Sequence, residues 1–491
     1  MSYASLKSGT DVRGIASDIF GSQVTLTDKA VNDIICAFVC WLTEKKEIPA
    51  EEMCISVGHD SRISAGRISN TVINALTVSG VKVINCDLAS TPAMFMTTVV
   101  LGCDAAVQIT ASHHPADRNG LKFFIPSGGL DGKDISEILN LADNETVYIP
   151  VKGGSVDNVD FMSKYAALLR EKICTSLGKT ETELPLKGYK IVVDAGNGAG
   201  GFYATEVLER LGADISGSQF LSPDGMFPNH IPNPENKEAM ESVCSAVIKN
   251  KADLGIIFDT DVDRAGCVGN DGKEINRNRL IALASIISAD KPGAVIVTDS
   301  VTSDGLKTFI EQELNCKHFR YRRGYKNVID KARQLCEAGE YCPLAIETSG
   351  HAALKENYFL DDGAYLVTKI VIELARGKDI EKILKPLKMP VEEREYRFNI
   401  LESDFRTYGE TVLLELEKFA NSQSDWQIAD DNREGLRVSA YSGWFLLRMS
   451  VHDPVMPINF ESDVSGGIDK MVAALAPFFA RFDKLDLGNF I

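Results

Sequence analysis

Apolar runs of strand length alternate along this chain with stretches whose apolar residues recur at helical spacing. That is the pattern of an α/β protein with mixed, largely parallel sheets. Three runs resemble one another. Residues 53–57 lead into Gly58-His59-Asp60, residues 190–193 into Asp194-Ala195-Gly196, and residues 294–298 into Asp299-Ser300, each followed by a helix-compatible segment. They predict three similar α/β domains of about a hundred residues each. The end of the chain has a different texture: a helix over 407–419, then strands over 436–440 and 444–449, which predicts a smaller α+β C-terminal domain with an antiparallel sheet.

Breaks in the pattern place the boundaries. Gly153-Gly154 precedes a helical stretch over 160–173, the Asp271-Gly272 turn opens a new run, and Pro386 and Pro390 bracket a hinge. The expected domains are therefore 1–160, 161–270, 271–388 and 389–491.

Composition narrows the classes of function. A length of 491 residues with 44% apolar content supports three or four domains with a core each. Residues 1–16 do not combine basic flanks with a signal-like apolar stretch, and no run reaches the roughly 18 apolar residues of a membrane span. The expected location is cytoplasmic, with no membrane partner. The 11 cysteines are scattered without a C-x-x-C pair and read as reduced core residues. Asp plus Glu exceed Lys plus Arg by 69 to 52, with no basic run to track a phosphate backbone, so no nucleic-acid partner is expected.

Four loops carry candidate chemistry. Thr110-Ala111-Ser112-His113-His114-Pro115 follows the strand-like run 105–109. A serine at a strand end, beside a histidine and before a proline turn, suits a nucleophile or phosphoryl carrier, a plain serine turn being the alternative. Adjacent histidines on an extended segment point to opposite faces, which argues against a shared metal. Lys122, in Asn119-Gly120-Leu121-Lys122, is expected to bring an ammonium near Ser112. Asp259-Thr260-Asp261-Val262-Asp263-Arg264 follows the apolar run 254–258, and carboxylates at alternate positions converge on one hard cation such as magnesium. An EF-hand fails, because Arg264 stands where glycine is required and Asn270 where glutamate is. Arg264 adds a second positive group.

The third loop is Glu347-Thr348-Ser349-Gly350-His351, after residues 344–346. Glu347 and Ser349 suit sugar hydroxyls and His351 suits proton transfer, with a helix-capping Ser-Gly turn as the alternative. The fourth is Arg448-Met449-Ser450-Val451-His452-Asp453-Pro454, whose Arg448, Ser450 and His452 suit a phosphate. One further loop, Gly196-Asn197-Gly198-Ala199-Gly200-Gly201, satisfies the dinucleotide pattern G-x-G-x-x-G. Asp214 falls at the start of the next strand and not at its end, and glycines that let a helix pack close to its strand explain the match as well.

With these loops in this order, the chain resembles the α-D-phosphohexomutase family of phosphomannomutases, phosphoglucomutases and phosphoglucosamine mutases. The resemblance also rests on Gly9-Thr10-Asp11-Val12-Arg13-Gly14, Asp60-Ser61-Arg62, Pro223-Asp224-Gly225-Met226-Phe227-Pro228, Pro232-Asn233-Pro234-Glu235 and Gly324-Tyr325-Lys326, and spans residues 5–465. It implies four domains around a central cleft: a phosphoserine-loop domain, a metal-binding domain, a sugar-recognition domain and a C-terminal phosphate-binding domain. It further implies Ser112 phosphorylated in the resting enzyme, Mg2+ held by Ser112, Asp259, Asp261 and Asp263, and Arg13, His113, Lys122 and Arg264 around the phosphate. Glu347, Ser349, Lys326, Arg448, Ser450 and His452 would bind substrate, with His351 as acid or base. The implied reaction interconverts 1-phospho and 6-phospho hexoses through a sugar bisphosphate. A phosphoglucosamine mutase, a metal-dependent phosphatase and a catalytically weak sugar-phosphate-binding member are the alternatives. The chain departs from the family pattern in two places. His114 replaces an asparagine, and Val451, His452 and Asp453 replace Gly, Thr and Glu in the last loop, with Pro457 where an arginine is usual.

Overall fold

The computed structural model describes residues 2–144, 153–450 and 453–490. The chain divides into two units, Met1–Ser288 with Ser349–Ile383, and Ala289–Thr348 with Leu384–Ile491.

The first unit opens on a mixed sheet. Its centre is the parallel set Lys82–Leu88, Cys54–His59 and Ala105–Ile109, flanked by Ser155–Asn158 on one side and by Arg118–Ile125 and Asp11–Ile15, both antiparallel, on the other. Ala105–Ile109 is buried along its whole length, as a strand covered on both faces must be. The helix Asp28–Lys46 starts where the Thr27 side chain accepts from the Ala30 N–H and ends at Glu47 in the left-handed region. It buries Ile34, Ile35, Phe38, Trp41 and Leu42 in one core with strand residues Ile55, Val57, Val107 and Phe123. A second sheet has the order Glu274–Ile275, Ala265–Gly269, Leu254–Phe258, Ile191–Asp194, with the last two strands parallel. Leu254–Phe258 and Ala265–Gly269 form a hairpin that pairs Phe258 with Ala265. Residues 259–264 are therefore a hairpin loop. The hairpin Ala352–Leu354/Leu360–Asp361 and the helix Gly363–Ala375 complete the unit.

In the second unit Val295–Asp299 pairs in parallel with Lys317–Tyr321 and Leu344–Ile346. Its other sheet is antiparallel throughout, with Gly443–Leu447, Val455–Ser462 and Glu392–Ile400 as neighbours. The helices Phe405–Asn421 and Gly467–Phe479 bury Val412, Leu416, Ile468, Met471 and Leu475 in that sheet's core. Mixed α/β sheets and a further α+β sheet domain agree with the fold class expected from the sequence. Among the described residues no helix is long and apolar enough to cross a membrane.

Two local expectations change. After the Gly196 loop the chain runs as 3₁₀ and π turns through Leu211, with no α-helix. After the Glu347 loop comes the strand Ala352–Leu354, so there is no helix for a Ser-Gly turn to cap.

Candidate active site

Ser112 lies in the turn between the antiparallel strands Ala105–Ile109 and Arg118–Ile125. Its φ is +49°, a left-handed conformation that a non-glycine residue adopts at a cost of about 1–2 kcal/mol. The surroundings hold it there. The Ser112 N–H donates to Thr110 Oγ1 at 2.9 Å, and Thr110 Oγ1 donates to Asp60 Oδ2 at 2.7 Å. Arg62, fully buried and 3.2 Å from Asp60, donates to the carbonyls of Pro115 at 2.7 Å, Arg118 at 2.9 Å and His114 at 2.7 Å, and to that of Ser112. A planar fork with several donors can serve this many acceptors, which an ammonium cannot do in one geometry. Gly225 lies against the same segment, where a Cβ would stand 2.3 Å from the Ile63 nitrogen.

The serine hydroxyl points at the second loop. Ser112 Oγ donates to Asp259 Oδ2 at 3.0 Å and accepts from Arg264 Nη2 at 3.1 Å. Arg264 also binds Asp259 Oδ2 through Nε at 3.1 Å and Asn233 Oδ1 through Nη1 at 3.2 Å. His113 Nδ1 accepts from Arg264 Nη2 at 2.7 Å. Burial, Arg264, His114 and Arg13 push the His113 imidazole down to about 2, so the ring is neutral and Nδ1 can accept. Burial and Arg13 likewise push His114 down to about 3.

Asp259, Asp261 and Asp263 are all buried and bring carboxylate oxygens within 4.8 Å of one another. Val262 makes this possible at the loop tip: it turns through φ +69°, buries its side chain, and accepts from the Gly363 N–H at 3.1 Å. Lys122 Nζ donates to Asp261 Oδ2 at 3.0 Å and Asp263 Oδ2 at 2.5 Å, and Thr91 Oγ1 adds a donor to Asp261 Oδ2 at 2.5 Å. Asp261 Oδ1 and Asp263 Oδ1 are buried without a hydrogen-bond partner among the described residues. Burial, reinforced by Asp263, pushes the Asp259 carboxyl well above the usual range against the pull of Arg264. Burial also opposes ionisation of Asp263, but Lys122, His351 and Arg264 outweigh it and hold that carboxyl down. Three crowded carboxylates with two oxygens that accept no hydrogen bond among the described residues fit a hard divalent cation, whose charge would relieve their mutual repulsion.

His351 is joined to the same hairpin by a backbone bridge to Arg264. Its Nδ1 bonds Asp361 Oδ2, and Asp361 Oδ1 accepts from the Ala352 N–H at 3.0 Å. Burial would lower this imidazole, but the Asp361 and Asp263 carboxylates outweigh it and push it up to about 9. Asp263, His351 and Asp361 also lie close enough to ligate a metal. With Nδ1 engaged by Asp361, however, the pair is already charge-compensated, and the aspartate trio is the better cation site. Ser349 Oγ is buried without a partner among the described residues. The Gly196 loop serves the metal loop by close approach, since a Cβ on Gly198 would stand 2.5 Å from the Thr260 carbonyl oxygen. This is the packing reading of that loop.

In the second unit, Glu347 is buried and its Oε1 accepts from the Gly324 N–H at 2.5 Å, where Gly324 has φ +116°. Lys326 Nζ bonds Asp330 at 2.7 Å, one turn along its own helix. Arg448 is buried, and its Nε lacks a partner among the described residues. The Ser450 Oγ accepts from the Asp453 N–H at 3.3 Å. His452 lies outside the described residues. Pro457, which stands in Val455–Ser462, accepts the Arg448 N–H at 3.1 Å through its carbonyl. That carbonyl faces a point just past the end of Gly443–Leu447, so the missing proline N–H interrupts no pairing within that strand.

Three consecutive family models match the chain, described as phosphoglucomutase/phosphomannomutase alpha/beta/alpha domains I, II and III, over residues 6–148, 164–272 and 276–389. The chain belongs to the α-D-phosphohexomutase family. It is accordingly an isomerase, a phosphohexomutase. A Pseudomonas aeruginosa phosphomannomutase/phosphoglucomutase is 29% identical over 474 residues, 95% of this chain and 94% of that one. A Neisseria gonorrhoeae phosphoglucomutase is 28% identical over 466 residues, 94% of each chain. The crystal structure of a phosphoglucomutase/phosphomannomutase family protein from Burkholderia thailandensis has a TM-score of 0.81 at 25% identity and covers 98% of both chains.

For this phosphohexomutase the sequence-derived residues divide by unit. Ser112, His113, Lys122, Asp259, Asp261, Asp263, Arg264 and His351 come together in the first unit, with Arg13 acting on both histidines. Lys122 bonds Asp261 and Asp263, whose carboxylates cluster with that of Asp259, the partner of Ser112 Oγ. One expectation is corrected. His113 and His114 do not point to opposite faces. Their rings lie 5.3 Å apart, because the left-handed Ser112 makes this stretch a turn and not an extended segment. Sequence reasoning missed Asp60, Thr110, Arg62 and Thr91 as supports and Asp361 as the partner of His351. The Asp60-Ser61-Arg62 motif was the visible signal for the first and third of these.

Proposed function

We propose that this phosphohexomutase interconverts hexose 1-phosphates and 6-phosphates of the glucose and mannose type by passing a phosphoryl group through Ser112. The observation that carries the reading is the Ser112 hydroxyl, 3.0 Å from Asp259 Oδ2 and 3.1 Å from Arg264 Nη2, beside an aspartate trio in which two oxygens make no hydrogen bond among the described residues. In the proposed cycle a sugar hydroxyl attacks the phosphorus of phosphorylated Ser112. The Ser112 O–P bond breaks, a sugar bisphosphate forms, and after the bisphosphate turns over the serine oxygen takes the other phosphoryl group back.

Asp259, Asp261 and Asp263, with the Ser112 oxygen, would hold Mg2+, which would supply positive charge to the oxygens of the transferring group. Arg264 donates to the Ser112 oxygen and to Asp259 Oδ2, placing its positive charge beside both. Arg13, His113 and Lys122 are assigned to the phosphate's surroundings. Asp361 fixes His351 Nδ1 as a donor, leaving Nε2 as the atom that would exchange a proton with a sugar hydroxyl. Glu347, Ser349 and Lys326 are assigned to sugar recognition, and Arg448 with Ser450 and His452 to the non-reacting phosphate. The orphaned Arg448 Nε supports that assignment, since a phosphate oxygen would satisfy it. The scattered cysteines and acidic balance support a cytoplasmic location.

The test is a coupled assay on glucose, mannose and glucosamine 1-phosphates, together with mass spectrometry of the purified protein. We expect isomer formation from the glucose and mannose substrates without release of inorganic phosphate, and phosphate on Ser112. Stoichiometric phosphate release would identify a phosphatase, and preference for the glucosamine substrate would identify a different mutase.

A further inference from the structure

At the end of the first sheet opposite the Ser112 turn, Cys54 begins the strand Cys54–His59, and Cys103 stands two residues before its parallel neighbour Ala105–Ile109. Their sulfurs lie 3.8 Å apart. The backbone fixes this meeting. Ile55 is paired with Ala105, the Cys54 N–H donates to Asp104 Oδ2 at 2.9 Å, and the Asp104 N–H donates to the Cys54 carbonyl at 2.7 Å. Closing to the bonded distance of about 2.05 Å needs side-chain rotation and no change of strand register.

The two thiols are unequal. Cys103 is 1% exposed, whereas Cys54 is only half-buried. The two sulfurs share a hydrogen bond in which either can be the donor, and the contact with Cys103 lowers the Cys54 proton affinity. Burial opposes this, the Lys82 ammonium assists it, and the Asp104 and Asp157 carboxylates work against it. The contact with Cys54, together with burial, pushes Cys103 up. Cys54 is thus the more accessible thiol and Cys103 the protected one behind it, an arrangement of attacking and resolving groups.

We propose that Cys54 and Cys103 form a site of reversible disulfide formation when the protein meets a low-molecular-weight disulfide of the glutathione type. The Cys54 thiolate attacks one sulfur of that reagent, breaking its S–S bond and expelling a thiolate. Cys103 gives up its proton and attacks Cys54 Sγ, expelling the second thiolate. Two electrons pass from the cysteine pair to the reagent, and the two cysteine protons end on the two released thiols. The bond closes the loop holding the helices Ala65–Val78 and Thr91–Val100 and staples two strands whose far ends lead to Arg62 and Ser112. In a reducing compartment such a bond is transient.

Two other buried cysteines serve as internal controls. Burial pushes Cys86 up to about 12 and Cys36 up to about 11. The test is incubation of the native full-length protein with oxidised glutathione, followed by alkylation and peptide mapping. We expect a Cys54–Cys103 linked peptide, a fall of roughly tenfold in alkylation of both residues, little change at Cys36, and full reversal by dithiothreitol. Cys103→Ser should instead retain glutathione on Cys54. A wild-type protein that holds glutathione on Cys54 with Cys103 still alkylated, a Cys54–Cys86 link, or Cys54 as unreactive as Cys36 would each overturn the proposal, without bearing on the mutase reading.

Discussion

Ser112 combines a left-handed backbone with a buried hydroxyl that donates to a carboxylate and accepts from a guanidinium. A serine needed only for its turn would not require that hydroxyl. Ser112→Ala should lower mutase turnover by at least about a thousand-fold, while removing two hydrogen bonds worth about 1 kcal/mol each. Steady-state rates and urea unfolding of the same preparation check both. Residual activity near wild type would exclude the carrier role. Asp261→Asn removes one charge of the trio and leaves Lys122 on Asp263, so Mg2+ affinity should fall by roughly tenfold or more. Titration of activity with Mg2+ after EDTA treatment reads this directly. EDTA should silence the wild type, and unchanged activity in excess chelator would refute the metal assignment.

At the scale of elements, the site depends on how loops are propped. Arg62 holds four carbonyls of the Ser112 turn and pairs with buried Asp60. Arg62→Met leaves Asp60 buried without its cation and should cost about 3–5 kcal/mol, read by chemical unfolding, along with most of the turnover. In the C-terminal sheet, Glu461 accepts from Trp444 Nε1 at 2.9 Å. Burial, with help from Glu393, pushes its carboxyl up to about 8 against Arg437 and the Trp444 bond. The folded state therefore binds this proton more tightly than the unfolded chain, whose value is about 4.3. The associated stability is present below the unfolded value and is lost as pH rises through the folded one. Glu461→Gln keeps an acceptor for Trp444 and should flatten the decline in melting temperature between about pH 5 and 8.5. An unchanged pH profile would show that Glu461 is not the titrating group.

The strands at Ala105–Ile109, Leu254–Phe258 and Leu344–Ile346 were legible because fully buried strands leave unbroken apolar runs that stop where the chemistry starts. The aspartate trio was legible because three carboxylates stand at alternate positions straight after a buried apolar run, in residues 259–263. The Arg62 carbonyl clamp and the Asp361–His351 pair were not, because each joins residues distant in sequence or depends on burial, which spacing alone does not encode.

For the molecule as a whole, the residues proposed for phosphoryl transfer lie in the first unit, whereas Glu347, Lys326, Arg448 and Ser450, proposed for sugar and phosphate binding, lie in the second. The central claim is that the transferred group resides on Ser112 between turnovers. It is tested by charging the protein with radiolabelled phosphate and chasing it with unlabelled glucose 6-phosphate in Mg2+. The account predicts that label leaves the Ser112 peptide within the turnover time and appears in the sugar phosphates. Label that stays on the peptide during turnover, or leaves as inorganic phosphate, would contradict it.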